Sequence, residues 1–150
     1  MRALLAAIAT AAAPPFGPPT LQQQWIGHIQ SLTHSGPDYV MRFDPAFWLS
    51  AATARAYHVE HPGTRLLPGV HLIYDTDHQL VTLIVPVRAR AAVVSREKGK
   101  IVERSVSTAQ LARIVDGEKT PGVKALEPNA PFWIIFQHDT VVEIDQQYVP

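Results

Sequence analysis

Two imidazoles and a carboxylate stand within four residues at His58-Val59-Glu60-His61. On a continuing helix His58 and His61 would share a face, close enough to hold one ion between them. Imidazole and carboxylate donors suit zinc or copper, so His58, Glu60 and His61 are the candidate metal ligands. The spacing differs from the His-Glu-x-x-His of zinc peptidases, and proteolysis does not follow from it. A polar helix end explains the trio more economically, because imidazoles are favourable near the negative end of the helix dipole.

Two further clusters carry titratable groups. Asp75-Thr76-Asp77-His78 alternates carboxylates as a hard-cation loop does, but it lacks the glycine and the closing glutamate of a calcium loop. Asp and Thr are also ordinary turn residues. His138-Asp139 pairs two members of a hydrolytic triad. Neighbours in sequence do not face one another as a triad requires, and no Gly-x-Ser-x-Gly elbow accompanies them. Neither a phosphate-cradling glycine loop nor a dinucleotide fingerprint occurs. No catalytic residue and no organic cofactor is assigned. The aromatics Trp25, Trp48, Phe132, Trp133, Phe136 and Tyr148 could line a ligand surface, but their alternation within strands fits a core and a barrel lid better.

Composition narrows the classes further. Thirteen basic and 13 acidic side chains balance, and no basic block runs through the chain, so nucleic acid is not an expected partner. The absence of cysteine excludes disulfides, thiolate metal sites, a cysteine nucleophile and a lipid-modified N-terminal cysteine. Residues 1–13 combine Arg2, an apolar run and small residues suited to cleavage, which reads as a signal peptide. The run is too short to span a membrane. Residues 14–24 open with four prolines in seven positions and read as an extended linker. A single β-rich domain is expected over residues 25–150, outside the cytoplasm.

The elements that must position these groups are short and punctuated by turns. Trp25–Gly36 and Tyr39–Asp44 read as a hairpin. Asp44 then fits an N-cap, Pro45 a first helical residue, and Phe43 with Trp48 a hydrophobic staple, predicting a helix to about His58. Val70–Tyr74 and Leu80–Val85 read as a second hairpin, and the stretch around Arg96–Gly99 as the turn of a third. Ser107 and Gln110 form a capping box that opens a second helix, with Gly117 to end it. Phe132–Phe136 is apolar on both faces, which requires a central or helix-covered strand. It pairs with Val141–Gln146, and Tyr148 would clamp the end. The order ββ-α-ββ-ββ-α-ββ predicts an α+β, mainly β fold: an antiparallel curled sheet or partly closed small β-barrel with two short helices.

The segments "GHIQSL…YVMRFDPAFWLSAATA", "LIYDTDHQLVTLIVPV", "VSTAQLARIV" and "FWIIFQHDTVVEIDQQYVP" together resemble a family of small secreted or surface actinobacterial proteins, frequently lipoproteins, of unknown function. Its marks are the Asp-Pro helix, the Ser-capped helix and the terminal Gln-Tyr-x-Pro. The resemblance implies a β-rich fold and export, and it brings no catalytic residues. Two departures stand out. Without a lipid-attachment cysteine the product would be released, and His138-Asp139 in place of Asn-Gly or Asp-Gly implies a longer or distorted turn. The expected function is a non-enzymatic binding or structural module of the envelope or extracellular space. A metal-binding protein or metal-dependent enzyme using His58, Glu60 and His61 is the alternative, and a secreted protein inhibitor a third.

Overall fold

The computed structural model describes residues 22–75, 77–124 and 130–149. The expected leader and most of the linker lie outside them. Ten elements follow in the order predicted: β1 (Gln23–Ser35), β2 (Asp38–Ser50), α1 (Ala51–Glu60), β3 (His71–Tyr74), β4 (Val81–Val85), β5 (Arg90–Glu97), β6 (Lys100–Val106), α2 (Thr108–Val115), β7 (Phe132–Gln137) and β8 (Thr140–Gln146). Strand β1 starts two residues before the expected domain boundary at Trp25.

Five strands close into a barrel. Strand β1 pairs with β2 and, through its first residues, with β7; β7 pairs with β8; β4 pairs with β2. The seam is a parallel contact between β4 and β8 at Ile84 and Thr140, where the Ile84 N–H donates to the Asp139 carbonyl at 2.8 Å. Numbering only the barrel strands, the circular order is 1-2-3-5-4, with α2 between the third and fourth. A five-stranded Greek-key barrel connected in this way is of the OB type. A register shift between Ile29 and Ser31 lets the long β1 bend from one partner to the other. The β5–β6 hairpin extends the sheet beside β8, again in parallel, and β3 extends it beside the far end of β2. The ladder is therefore not wholly antiparallel.

The core is made by the inward faces of the barrel strands and by α2. Met41, Phe43, Leu83, Val85, Phe132, Ile134, Val141 and Ile144 are essentially inaccessible to solvent. Helix α2 contributes Leu111 and Ile114, held in place by the capping box. The Ser107 hydroxyl accepts from the Gln110 N–H at 3.1 Å, and the Gln110 side chain accepts from the Ser107 N–H at 2.8 Å. Gly117 takes the left-handed conformation that ends the helix, as the sequence predicts. Strand β7 lies between β1 and β8, so both of its edges are paired; Phe132, Ile134 and Phe136 face the core, while Trp133 and Ile135 on the other face are half-buried.

Four expectations are corrected. Residues 44–50 are strand, not helix: Asp44 pairs with His28 and Pro45 with Gly27. Helix α1 begins only at Ala51, with Ser50 at the N-cap position making no side-chain cap bond. Local cap chemistry loses here to a long strand that is paired on β1 as far as Ala46 and on β3 from Phe47 to Ser50. Trp48 consequently packs against His71 and Trp133 and does not staple to Phe43. Strands β3 and β4 do not form a hairpin, because both pair with β2 at different heights. The His138-Asp139 turn is tight: Gln137 pairs with Thr140, and both turn residues have positive φ, 47° and 61°. Finally, the C-terminal segment is tied by Gln147. Its N–H donates to the Pro131 carbonyl and its side chain accepts from the Trp133 indole, both at 2.8 Å, while Tyr148 is exposed.

Candidate functional site

The insertion between β2 and β4 brings aromatic rings and titratable groups together on one surface. Helix α1 and strand β3 fold back so that four rings stack in a column: Phe47 on Tyr74 (5.1 Å between centroids), Tyr74 on Tyr57 (4.6 Å) and Tyr57 on His61 (4.0 Å). The interplanar angles, 15° to 25°, make these stacked contacts. Phe47 ends the column and is 60% exposed, leaving a ring face open to solvent. Tyr57 and Tyr74 also line a cleft of about 510 Å³ that takes in His28, Arg65 and Asp75. Sequence reading passed over Phe47, Tyr57 and Tyr74, because they come from three elements and only the fold aligns them.

A wider cavity of about 840 Å³ lies beside the C-terminal end of α2, bordered by Arg96, Lys98, Lys119 and Lys124 with Glu97 and Glu118. Its charges are mixed, and Glu97 is already engaged by Arg104. Its lining has none of the aromatic rings found beside α1.

The sequence-derived metal trio does not converge. The His61 Nδ1–H donates to the Tyr57 carbonyl at 3.0 Å. The Thr64 hydroxyl donates its proton to the His61 carbonyl at 2.7 Å, so the His58 Nδ1–H, 3.1 Å from Thr64 Oγ1, donates to that hydroxyl oxygen. Both Nδ1 atoms thus serve the C-terminal cap of α1, as the helix-end reading anticipated. Among the described residues, the group of three potential ligands within 4.8 Å of one another is a different one: Asp44, Asp75 and His78. His78 Nδ1 lies 3.2 Å from Asp44 Oδ2 and 3.1 Å from Asp75 Oδ2, and its backbone N–H donates to Asp75 Oδ1 at 3.3 Å. The hydrogen bond to Asp44, then the charges of Asp75 and Asp44, raise the imidazole above its ordinary 6.5. The Asp75-to-His78 loop thus supplies two ligand-capable groups, and its partner Asp44 was read from sequence as a helix cap. His138 and Asp139 form the β7–β8 turn and belong to no such group.

A second carboxylate cluster sits where β8 meets β5 and β6. Glu103, Glu143 and Asp145 share a shallow cleft with Arg90, and Asp145 is pushed up to about 6, first by burial and then by Glu143. Among the described residues no helix is long and apolar enough to cross a membrane. No family model matches the chain, and neither a curated protein nor a solved structure is significantly similar to it.

Proposed function

We propose that this chain is a non-enzymatic binding module, exported from the cytoplasm, that holds a sugar-bearing ligand of the envelope or extracellular space against the α1–β3 face. The observation that carries this reading is the column Phe47–Tyr74–Tyr57–His61 beside a cleft with polar groups in its lining. A sugar ring has an apolar face and a polar rim. An exposed phenyl ring offers the first a flat partner, and hydroxyl, imidazole, guanidinium and carboxylate groups offer the second hydrogen bonds. Barrels of the OB type carry oligosaccharides or oligonucleotides on the face of their second and third strands and the adjoining loops. That analogy is one of fold and does not by itself assign function. The balanced charge favours the neutral ligand over the polyanion. The leader-like N-terminal run supports export.

The test is calorimetric titration of the chain with soluble cell-wall polysaccharide fragments, using wild type, Phe47→Ala and the Tyr57→Ala/Tyr74→Ala double variant. Binding should fall by about tenfold or more in both variants, with circular dichroism unchanged. Failure of every fragment to bind, or equal binding by all three proteins, ends the proposal. So would turnover of a bound fragment that disappears on replacing a single His or Asp.

A further inference from the structure

Strand β2 has two partners on one edge, β4 along Tyr39–Phe43 and β3 along Phe47–Ser50. Residues 44–46 lie between these ladders, and Asp75 and His78 of the β3–β4 connection stand beside Asp44. That connection delivers Asp75 and His78 to Asp44, a residue 34 positions before His78. From this geometry we infer that Asp44, Asp75 and His78 form a divalent-cation site, taking zinc or a similar first-row transition ion through one imidazole nitrogen and the carboxylates of Asp44 and Asp75. The inference stands apart from the ligand reading above, although Asp75 borders both places.

Three observations carry it. The first is spacing. Two ligand atoms each about 2.0–2.1 Å from one zinc ion lie about 3.3 Å apart at a tetrahedral angle. Nδ1 stands 3.2 and 3.1 Å from the two carboxylate oxygens, so an ion in place of the Nδ1 proton needs little rearrangement. The second is an unmet demand. Asp44 is 4% exposed, and its Oδ1 is buried with no hydrogen-bond donor among the described residues. A buried carboxylate oxygen without a donor is costly. One imidazole N–H facing the Oδ2 atoms leaves that oxygen unmet, whereas a doubly charged ion can be gripped by both oxygens of the same carboxylate. The third is donor chemistry. A mixed nitrogen and oxygen set favours zinc and its neighbours over calcium or magnesium, which prefer all-oxygen shells. The His78 side chain is 73% exposed, so water can reach the ion and fill its remaining positions.

Zinc chloride titrated into the full chain at neutral pH, with calcium chloride in parallel, decides the matter. One zinc ion per chain should bind. His78→Gln and Asp75→Asn should each weaken it about tenfold or more, and His58→Ala/His61→Ala should leave it unchanged. Cobalt(II) should give visible bands that His78→Gln abolishes. Asp44→Asn is interpreted only if its circular dichroism is native, so the surface residue His78 carries the decision. Tyr57→Ala/Tyr74→Ala should keep full zinc affinity, which separates failure of this site from failure of the ligand face. Absence of saturable zinc binding overturns the inference. Affinity unchanged in His78→Gln, loss confined to the His58/His61 variant, or preference for calcium does the same.

Discussion

Gly27 lies so close under Asp44 that a Cβ at position 27 would overlap the Asp44 carbonyl oxygen and come within 2.9 Å of its carbonyl carbon and of the Phe43 ring. The two strands can approach this closely only because residue 27 has no side chain. The obstacle is backbone and a fully buried ring, so neither can swing aside. Gly27→Ala should therefore destabilise the fold by about 3 kcal/mol, seen as a fall in the denaturation midpoint without change in the slope. A loss under about 0.5 kcal/mol, the range of an ordinary surface change, would show that β1 and β2 do not meet here.

Helix α2 depends on its first turn. Ser107 satisfies the Gln110 N–H, and the Gln110 side chain satisfies that of Ser107. The helix is only eight residues long, and its Leu111 and Ile114 are buried in the barrel core. Ser107→Ala should cost about 1 kcal/mol, and Ser107→Asp should recover most of it. Equal stability of wild type and Ser107→Ala in chemical denaturation would remove the cap from the account.

Asp145 gives the fold a pH dependence of definite sign. It faces Glu143 on its own strand, Glu103 on β6 and Arg90 on β5, with Arg90 3.6 Å from Glu143. Its folded-state value, about 6, lies above the ordinary 3.8. The folded protein therefore holds this proton more tightly than the unfolded chain. The resulting stability is complete below the unfolded value and is lost as pH rises through 6. Asp145→Asn, neutral at every pH, should gain on wild type between pH 4 and pH 7.5 by about 1 kcal/mol, a figure reduced for solvent screening. A stability difference that does not change with pH would show that this carboxylate is not responsible.

These positions show which parts of the structure were legible from sequence. Ser107 and Gln110 were, because a capping box is local. The central place of Phe132–Phe136 was, because so apolar a run is poorly suited to an exposed sheet edge. Asp44-Pro45 misled for the converse reason. The dipeptide carries a good local cap signature, but the pairing of Asp44 with His28 and of Pro45 with Gly27 outweighs it. Pro45 is tolerated in a strand because residues 44–46 fall between the two ladders on one edge of β2. The same gap makes the Asp44–Asp75–His78 cluster, so one misreading hid both strand and site. The ring column was beyond reach for a related reason: its members come from β2, α1 and β3 and share no periodicity.

The β7–β8 turn offers a gain in stability. His138 and Asp139 both adopt positive φ, which Asn and Gly accept at far lower steric cost. The pair nevertheless occupies the seam of the barrel, where the Asp139 carbonyl accepts from Ile84. That bond uses backbone atoms and survives any change of side chain. The elsewhere comparable β5–β6 turn already has glycine at its second position, with Lys98 and Gly99 both at positive φ. Replacing His138-Asp139 by Asn-Gly should keep the seam bond, relieve the strain and stabilise the protein by about 1 kcal/mol. Protection of the Ile84 amide against hydrogen exchange should persist. Loss of that protection, or a lower midpoint of unfolding, would mean that the His138 and Asp139 side chains themselves hold the barrel closed.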